Sequence, residues 1–368
     1  MTVGEIQQLM EEWAPLEIAW ERDNPGLQVG SPRSRVHGIL VCLDVTDGVI
    51  AEARRRRANL IISHHPLLFR PLTSVTPLAG AGRQLTSLLR QDIALYSAHT
   101  NLDFASGGTS FALAARLGLR NVAVLHSPFK LDRKLVTFVP PDHAEAVATA
   151  MAAEGAGIIG NYRLCSFRAE GTGTFRGNEQ SHPALGRAGK TERVREIRLE
   201  MLVPAAKVEA VVRALKKVHP YEEVAYDIYV LDNTHRGCGM GVRGTLPAPI
   251  TLGGFLGRIR RSLKIPVVRY TGDLRQRVQN IAVCAGSGAE LTGEAVRSGA
   301  EVFVTADIKY HGFQEFADRI AIVDAGHFET ERPVVDAIVS YLQLKLERRG
   351  RYPRVLAARS LKNPVRYA

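Results

Sequence analysis

The stretch Val36-His37-Gly38-Ile39-Leu40-Val41-Cys42-Leu43-Asp44-Val45, followed by Thr46-Asp47 with a helical run to Ala58 and then Leu60-Ile61-Ile62-Ser63, decides the fold. Two apolar runs flanking an amphipathic segment read as strand, helix, strand, with both strands covered on two faces as in a parallel sheet. The alternation continues through a helix around Leu85 to Arg90, a strand from Ile93 to Ser97, a helix from Thr109 to Leu117 and the run Val122-Ala123-Val124-Leu125. It resumes after residue 250 with Ile281 to Ala285, a helix around Leu291 to Arg297, Val302 to Thr305 and Ile320 to Asp324. A long helix is expected from about Thr330, with Val334, Ile338 and Leu342 at four-residue spacing and Pro333 tolerated in its first turn. The pattern predicts an α/β protein, a layered sheet with helices on both faces made from two chain halves.

Between the halves the chain repeats itself at an offset of 64 positions. Leu135-Val136-Thr137-Phe138-Val139-Pro140 and Glu145-Ala146-Val147 return as Leu199-Glu200-Met201-Leu202-Val203-Pro204 and Glu209-Ala210-Val211. Each copy reads strand, proline turn, helix, with a further strand after it, the second being Val224 to Leu231. Two such units predict an inserted ferredoxin-like α+β domain. The expected division is therefore 1–129 and 233–368 as the halves of one domain and 130–232 as the insert, with Gly171 to Gly189 as its long loop and Gly237 to Gly244 as the return linker.

At 368 residues, 45% hydrophobic and 23% charged, the composition is that of a globular protein rather than a disordered one. No apolar run is long enough to span a membrane, and Met1-Thr2-Val3-Gly4-Glu5 lacks the features of a secretory signal, so a cytoplasmic location is expected. Cys42, Cys165, Cys238 and Cys284 are scattered without a C-x-x-C pair, which argues against a disulfide framework and a thiolate zinc site. The net charge of +11 suits an anionic partner. Arg54-Arg55-Arg56-Arg57, however, point around a helix and read as a solvated helix end. With no recognition helix or zinc finger visible, nucleic-acid binding is disfavoured.

The residues with chemistry stand where apolar runs end, the positions at which open α/β sheets bind ligands. His64-His65 follows Leu60 to Ser63, Asp103 follows Ile93 to Ser97, and His327 follows Ile320 to Asp324. Glu331 lies four residues beyond His327, near a helix start that favours a carboxylate. Any one of these is ordinarily structural; their joint occurrence suggests a metal centre. Because neighbours in an extended chain point apart, the His-His pair is expected to serve two ions rather than one, with Asp103 or Glu331 bridging. Imidazole with carboxylate suits zinc, iron or manganese. His99, Asp44, Asp307, Lys309 and His311 end other apolar runs, and His99, Lys309 and His311 could donate protons or anchor phosphate. Asp23-Asn24-Pro25-Gly26-Leu27 reads as a turn or rim loop.

With these motifs assembled the chain resembles the Ngg-interacting-factor-three-like family, whose bacterial members carry the name GTP cyclohydrolase 1 type 2 homologue. The resemblance rests on Asp23 to Leu27, Asp44-Val45-Thr46, Ser63-His64-His65-Pro66-Leu67, His99-Thr100-Asn101-Leu102-Asp103, Asp307-Ile308-Lys309-Tyr310-His311 and Gly326-His327-Phe328-Glu329-Thr330-Glu331, in family order. It implies a dinuclear centre ligated by His64, His65, Asp103, His327 and Glu331 in a hexameric ring. It also implies that the insert, with His219-Pro220-Tyr221-Glu222-Glu223, is the PII-like domain of a longer subset. Two departures are Gly239-Met240-Gly241-Val242-Arg243-Gly244, where the family pattern Gly-x-Gly-Arg-x-Gly has arginine at its fourth position, and Ala306, where glycine is frequent.

The expectation is a metal-dependent hydrolase acting on a nucleotide or related phosphorylated heterocycle, because two dications supply hydroxide at neutral pH. The alternative is a regulatory or scaffold protein in which the metals hold structure and the insert senses a small molecule. The expected partners are copies of the chain and a nucleotide-like substrate, with no membrane.

Overall fold

A computed structural model describes the chain apart from residues 79, 182–183, 185–186, 188, 234–236, 349, 351–352 and 367–368. Its strands are β1 (Gly26–Val29), β2 (Gly38–Cys42), β3 (Leu60–Ser63), β4 (Ala94–Ser97), β5 (Arg120–His126), β6 (Asp132–Val139), β7 (Ser166–Arg176), β8 (Thr191–Pro204), β9 (Tyr226–Val230), β10 (Met240–Thr251), β11 (Arg269–Tyr270), β12 (Arg277–Ser287), β13 (Val302–Ala306), β14 (Ala321–Asp324) and β15 (Arg354–Ala357). The chain divides into two compact units, Met1–Pro128 with Arg236–Ala368, and Phe129–His235.

The first unit holds two sheets where the sequence suggests one. Their orders are β1-β4-β3-β2-β15 and β11-β14-β13-β12-β10-β5, so each half of the chain lends a strand to the other half's sheet. The physical reason lies at the edges. The parallel set β2, β3 and β4 is closed by antiparallel β1 and four-residue β15, and the parallel set β12, β13 and β14 by two-residue β11 on one side and antiparallel β10 and β5 on the other. Short or antiparallel strands end each sheet before the two can join. Helix Pro333–Glu347 touches β2, β15 and helix Thr109–Leu117, which packs on β10 and β12, so these helices lie between the sheets.

Residues of β2, β3, β13 and β14 are buried along their whole lengths, the consequence of helices on both faces. Alternation then sorts them. Ile281, Val283, Val302, Val304 and Val323 pack with helix Leu252–Leu263, whereas Ala282, Cys284, Phe303 and Ile322 pack with Leu291 and Ala295. Thr46 caps helix Asp47–Arg55 by accepting from Val49 N at 3.2 Å.

The second unit has a four-stranded sheet in the order β7-β8-β6-β9, with helices Ala144–Ala153 and Val208–Val218. This is a β-α-β-β-α-β arrangement, and the two repeat copies supply its central antiparallel pair, Leu135 opposite Met201 and Thr137 opposite Leu199. Residues 171–176 belong to β7 rather than to a loop: Gly171 and Gly173 leave one face of the strand bare while the ladder to β8 stays paired. The expected return linker is likewise shorter, since β10 starts at Met240.

Candidate metal centre

Three strand ends of the first unit converge. β3 ends at Ser63, and the chain continues with His64 N donating to Cys42 O (3.0 Å) and His65 N to Leu43 O (2.9 Å). β14 ends at Asp324, and Gly326, at φ +80°, turns the chain into the short helix His327–Glu331. β4 leads through His99 into helix Thr100–Phe104, which carries Asp103.

Glu331 is the hub. Its Oε1 lies 3.0 Å from His327 Nε2 and 3.8 Å from His64 Nε2, and its Oε2 lies 2.9 Å from His65 Nε2. Asp103 Oδ1 stands 3.5 Å from His64 Nε2. His64, His65 and Glu331 bring one ligand atom each within 4.8 Å of one another. The alternation expected to part the two imidazoles does not apply, because both lie beyond the last residue of β3, and their rings stand 5.0 Å apart on the same cluster.

Each ring is fixed from behind. His64 Nδ1 bonds Ala98 O at 2.8 Å, His65 Nδ1 bonds Asp44 Oδ1 at 2.8 Å, and His327 Nδ1 bonds Asp307 Oδ2 at 2.6 Å. A carbonyl or carboxylate requires the proton on Nδ1, so all three rings present Nε2 to the centre, the arrangement of a metal-ligating histidine. Asp307 reaches its partner from a left-handed backbone, φ +57°, which aspartate tolerates better than most residues. The buried atoms His64 Nε2, Asp103 Oδ1 and Glu331 Oε2 have no hydrogen bond; the 2.9 Å approach of His65 to the last of these lacks hydrogen-bond alignment. Leaving such atoms unmet costs about 1–3 kcal/mol apiece, and a dication between nitrogen and oxygen donors would satisfy them together. The residues present fit a metal.

The electrostatics agree. Burial opposes charge on His65, but Asp44 and Glu331 outweigh it and raise its pKa to about 10. The bond to Glu331 is the main reason that His327 is raised to about 9, with burial opposing and Asp307 assisting. Burial pushes Glu331 up, and the three imidazoles more than reverse this, holding it well below the ordinary carboxylate range.

His99 joins the cluster, its ring 5.4 Å from that of His64 and 5.6 Å from that of His65. Lys309 and His311 are exposed at the start of helix Tyr310–Phe316, and His311 Nδ1 sits 3.3 Å from Gln314 Oε1. Two residues gain roles that their spacing did not disclose. Asp23, in the rim turn, accepts His99 Nδ1 (2.8 Å) and Thr100 N (3.0 Å); burial raises its pKa, but these bonds bring it down to about 2. Gly286, at φ +67°, lies where an added Cβ would come within 2.2 Å of Glu331 Oε1. Beside the cluster Trp20, Phe104, Met240 and Cys284 line a cavity of about 130 Å³ shared with Asp103, His327 and Glu331.

Fold and site define an α/β protein with a histidine–carboxylate cluster where strand ends of two sheets meet. The chain belongs to the Duf34/NIF3 (NGG1p interacting factor 3) family, whose profile matches residues 1–364. It is 39% identical over 325 residues to a GTP cyclohydrolase 1 type 2 homolog of Halalkalibacterium halodurans (88% of this chain, 87% of the relative). It is 40% identical over 327 residues to the protein of that name in Bacillus subtilis, again covering 88% and 87%. A Bacillus cereus protein related to NIF3 superposes with a TM-score of 0.86 at 38% identity, covering 100% of this chain and 99% of that one. No helix among the described residues is long and apolar enough to cross a membrane.

Proposed function

We propose that His64, His65, Asp103, His327 and Glu331 hold two divalent cations, zinc, iron or manganese, and that the protein is a metal-dependent hydrolase acting on a nucleotide or related phosphorylated heterocycle. The observation that carries this reading is the set of three buried, unbonded donor atoms facing one another on residues from distant parts of the chain. Cations held by these residues would supply Lewis acidity, activating water at neutral pH and polarising the bond under attack. Asp44, Asp307 and the Ala98 carbonyl hold the imidazoles in the metal-binding tautomer. Asp23 orients His99, which stands at the edge of the cluster where it can pass a proton to a leaving group. The cavity of about 130 Å³, with Trp20 and Phe104 in its lining, gives the reacting part of a substrate a place beside the cluster. Lys309 and His311, on the exposed start of their helix, fit a role in holding an approaching phosphate better than one at the reacting atoms. The relatives' name, GTP cyclohydrolase 1 type 2 homolog, supports a phosphorylated heterocycle as substrate. A hexameric ring, a PII-like identity for the β-α-β-β-α-β unit and a cytoplasmic location complete the reading.

The test is metal analysis of purified protein followed by a screen of metal-replete protein against nucleotides and phosphoesters. His64→Ala should lose metal and turnover together; turnover undiminished without metal overturns the reading. A second reading, a regulatory protein with a sensing insert, is favoured by the large cavity in the second unit, and failure of every substrate in the screen would select it.

A further inference from the structure

The second unit contains a cavity of about 680 Å³, within the range of about 300–1,000 Å³ typical of small-molecule sites. Its floor is the open face of β7 and β8. Glu196, only 8% exposed, sits there directly opposite Gly171 in the strand pairing, with Gly173 one step further along the same face. The two glycines have different explanations. An added Cβ at Gly173 would meet Glu196 Oε2 at 1.9 Å, so glycine makes room for the carboxylate. An added Cβ at Gly171 meets nothing within 4 Å, so no neighbouring atom accounts for the bare strand there. Glycine inside a strand sacrifices packing and often marks the close approach of another group.

The carboxylate is held in place. Tyr221 Oη donates to Glu196 Oε1 at 2.8 Å. His219, stacked edge-on against Tyr221 at 5.0 Å, accepts Tyr221 N on Nδ1 (3.2 Å) and therefore carries its proton on Nε2, which donates to Phe138 O (3.0 Å). Burial and the neighbouring carboxylate push the Tyr221 phenol up, so its proton stays with the oxygen. Glu196 Oε2 has no hydrogen bond among the described residues. Phe138, Phe175 and Tyr221 supply aromatic walls, the last two with centroids 6.3 Å apart. Of the charged groups in the lining, Arg176 donates to the Gly189 carbonyl at 2.9 Å and Glu170 pairs with Arg195 at 2.5 Å, which leaves the Glu196 carboxylate as the charge beside Gly171 and disfavours phosphate there. Arg198 is already engaged by Glu200 at 2.8 Å.

We infer that this cavity binds a planar nitrogen heterocycle of the nucleobase class, free of phosphate, lying over Gly171 and donating a ring or amino N–H to Glu196. A flat ring fills the space over the bare strand, the aromatic walls stack on it, and the second oxygen of the Glu196 carboxylate gains a donor. The site is independent of the metal centre, since every lining residue lies in the second unit.

Calorimetric titration of the full-length protein with adenosine, guanosine, cytidine and uridine tests the inference. At least one nucleoside should bind, and more tightly than its 5′-monophosphate. Gly171→Val, whose side chain enters free space in a strand that accepts β-branching, should weaken binding by about tenfold or more, and so should Glu196→Gln, which weakens a charge-assisted bond. Circular dichroism and metal content should not change in either variant, and His64→Ala should bind the nucleoside as the parent does. No binding of any nucleoside, equal binding by Gly171→Val, or binding abolished by His64→Ala would each overturn it; the last would place the ligand at the metal centre.

Discussion

At the level of single residues the cluster depends on groups that stand behind its donor atoms. Gly286 has a left-handed backbone and a carboxylate 2.2 Å from where its Cβ would be, so Gly286→Ala should cost about 1–3 kcal/mol and displace Glu331. Zinc titration should show affinity down on the order of 10–100-fold, the range seen when a ligand loses its support; unchanged affinity would remove Glu331 from the ligand set. Asp307→Asn keeps the left-handed backbone, which asparagine also tolerates, but weakens the grip on His327 Nδ1. It should lower affinity within the same range without loss of fold. Protons compete with metal for the raised imidazoles. Because His65 is held at about 10 and His327 at about 9, metal affinity should climb with pH through neutrality and level off only near those values. A flat profile between pH 6 and 9 would contradict the ligand assignment.

At the level of elements, β15 is a four-residue edge strand paired to β2, and the segment that follows it is pinned by one carboxylate. Glu52, 3% exposed in helix Asp47–Arg55, accepts from Arg359 N (2.9 Å), Ser360 N (2.8 Å) and Arg56 Nη1 (2.8 Å). Burial raises its pKa, but these donors overcome it and set the value at about 2 instead of 4.5. A depressed carboxylate stabilises the fold fully above its unfolded pKa near 4.5, and that contribution, on the order of 3 kcal/mol, is lost as pH falls through about 2. Glu52→Gln should remove about 1.5–3 kcal/mol at pH 7 and flatten the acid side of the stability curve; denaturant titrations at pH 7 and pH 3 that shift equally would refute the assignment. The sequence exposed this level unevenly. Buried strands such as Leu60 to Ser63 were legible because both faces demand apolar residues, and His64, His65, Asp103, His327 and Glu331 because each stands just past such a run. The division into two sheets was not, since nothing in the composition of β15 or β5 says which partner it crosses to. Asp23 read as part of a turn or rim loop and Gly286 drew no reading, because their roles arise from contacts with residues 76 and 45 positions away.

For the whole molecule the histidine–carboxylate cluster belongs to one unit and the cavity over Gly171 to the other, so their stabilities should respond separately. The cluster ties β3, helix Thr100–Phe104 and helix His327–Glu331 of the first unit. A cation that binds only the folded first unit stabilises it by RT ln(1 + [L]/Kd), about 2.7 kcal/mol at a hundredfold excess over Kd. For a unit of this size that corresponds to a shift in Tm on the order of 5–10 °C. Scanning calorimetry with zinc and with chelator should therefore resolve two transitions, one moving by that amount and the other, from the β-α-β-β-α-β unit, standing still. Adding the nucleoside should reverse the pattern. One transition that moves as a whole would mean that the units unfold together, and two that both move with zinc would mean that the cation is held by residues outside the cluster of His64, His65, Asp103, His327 and Glu331.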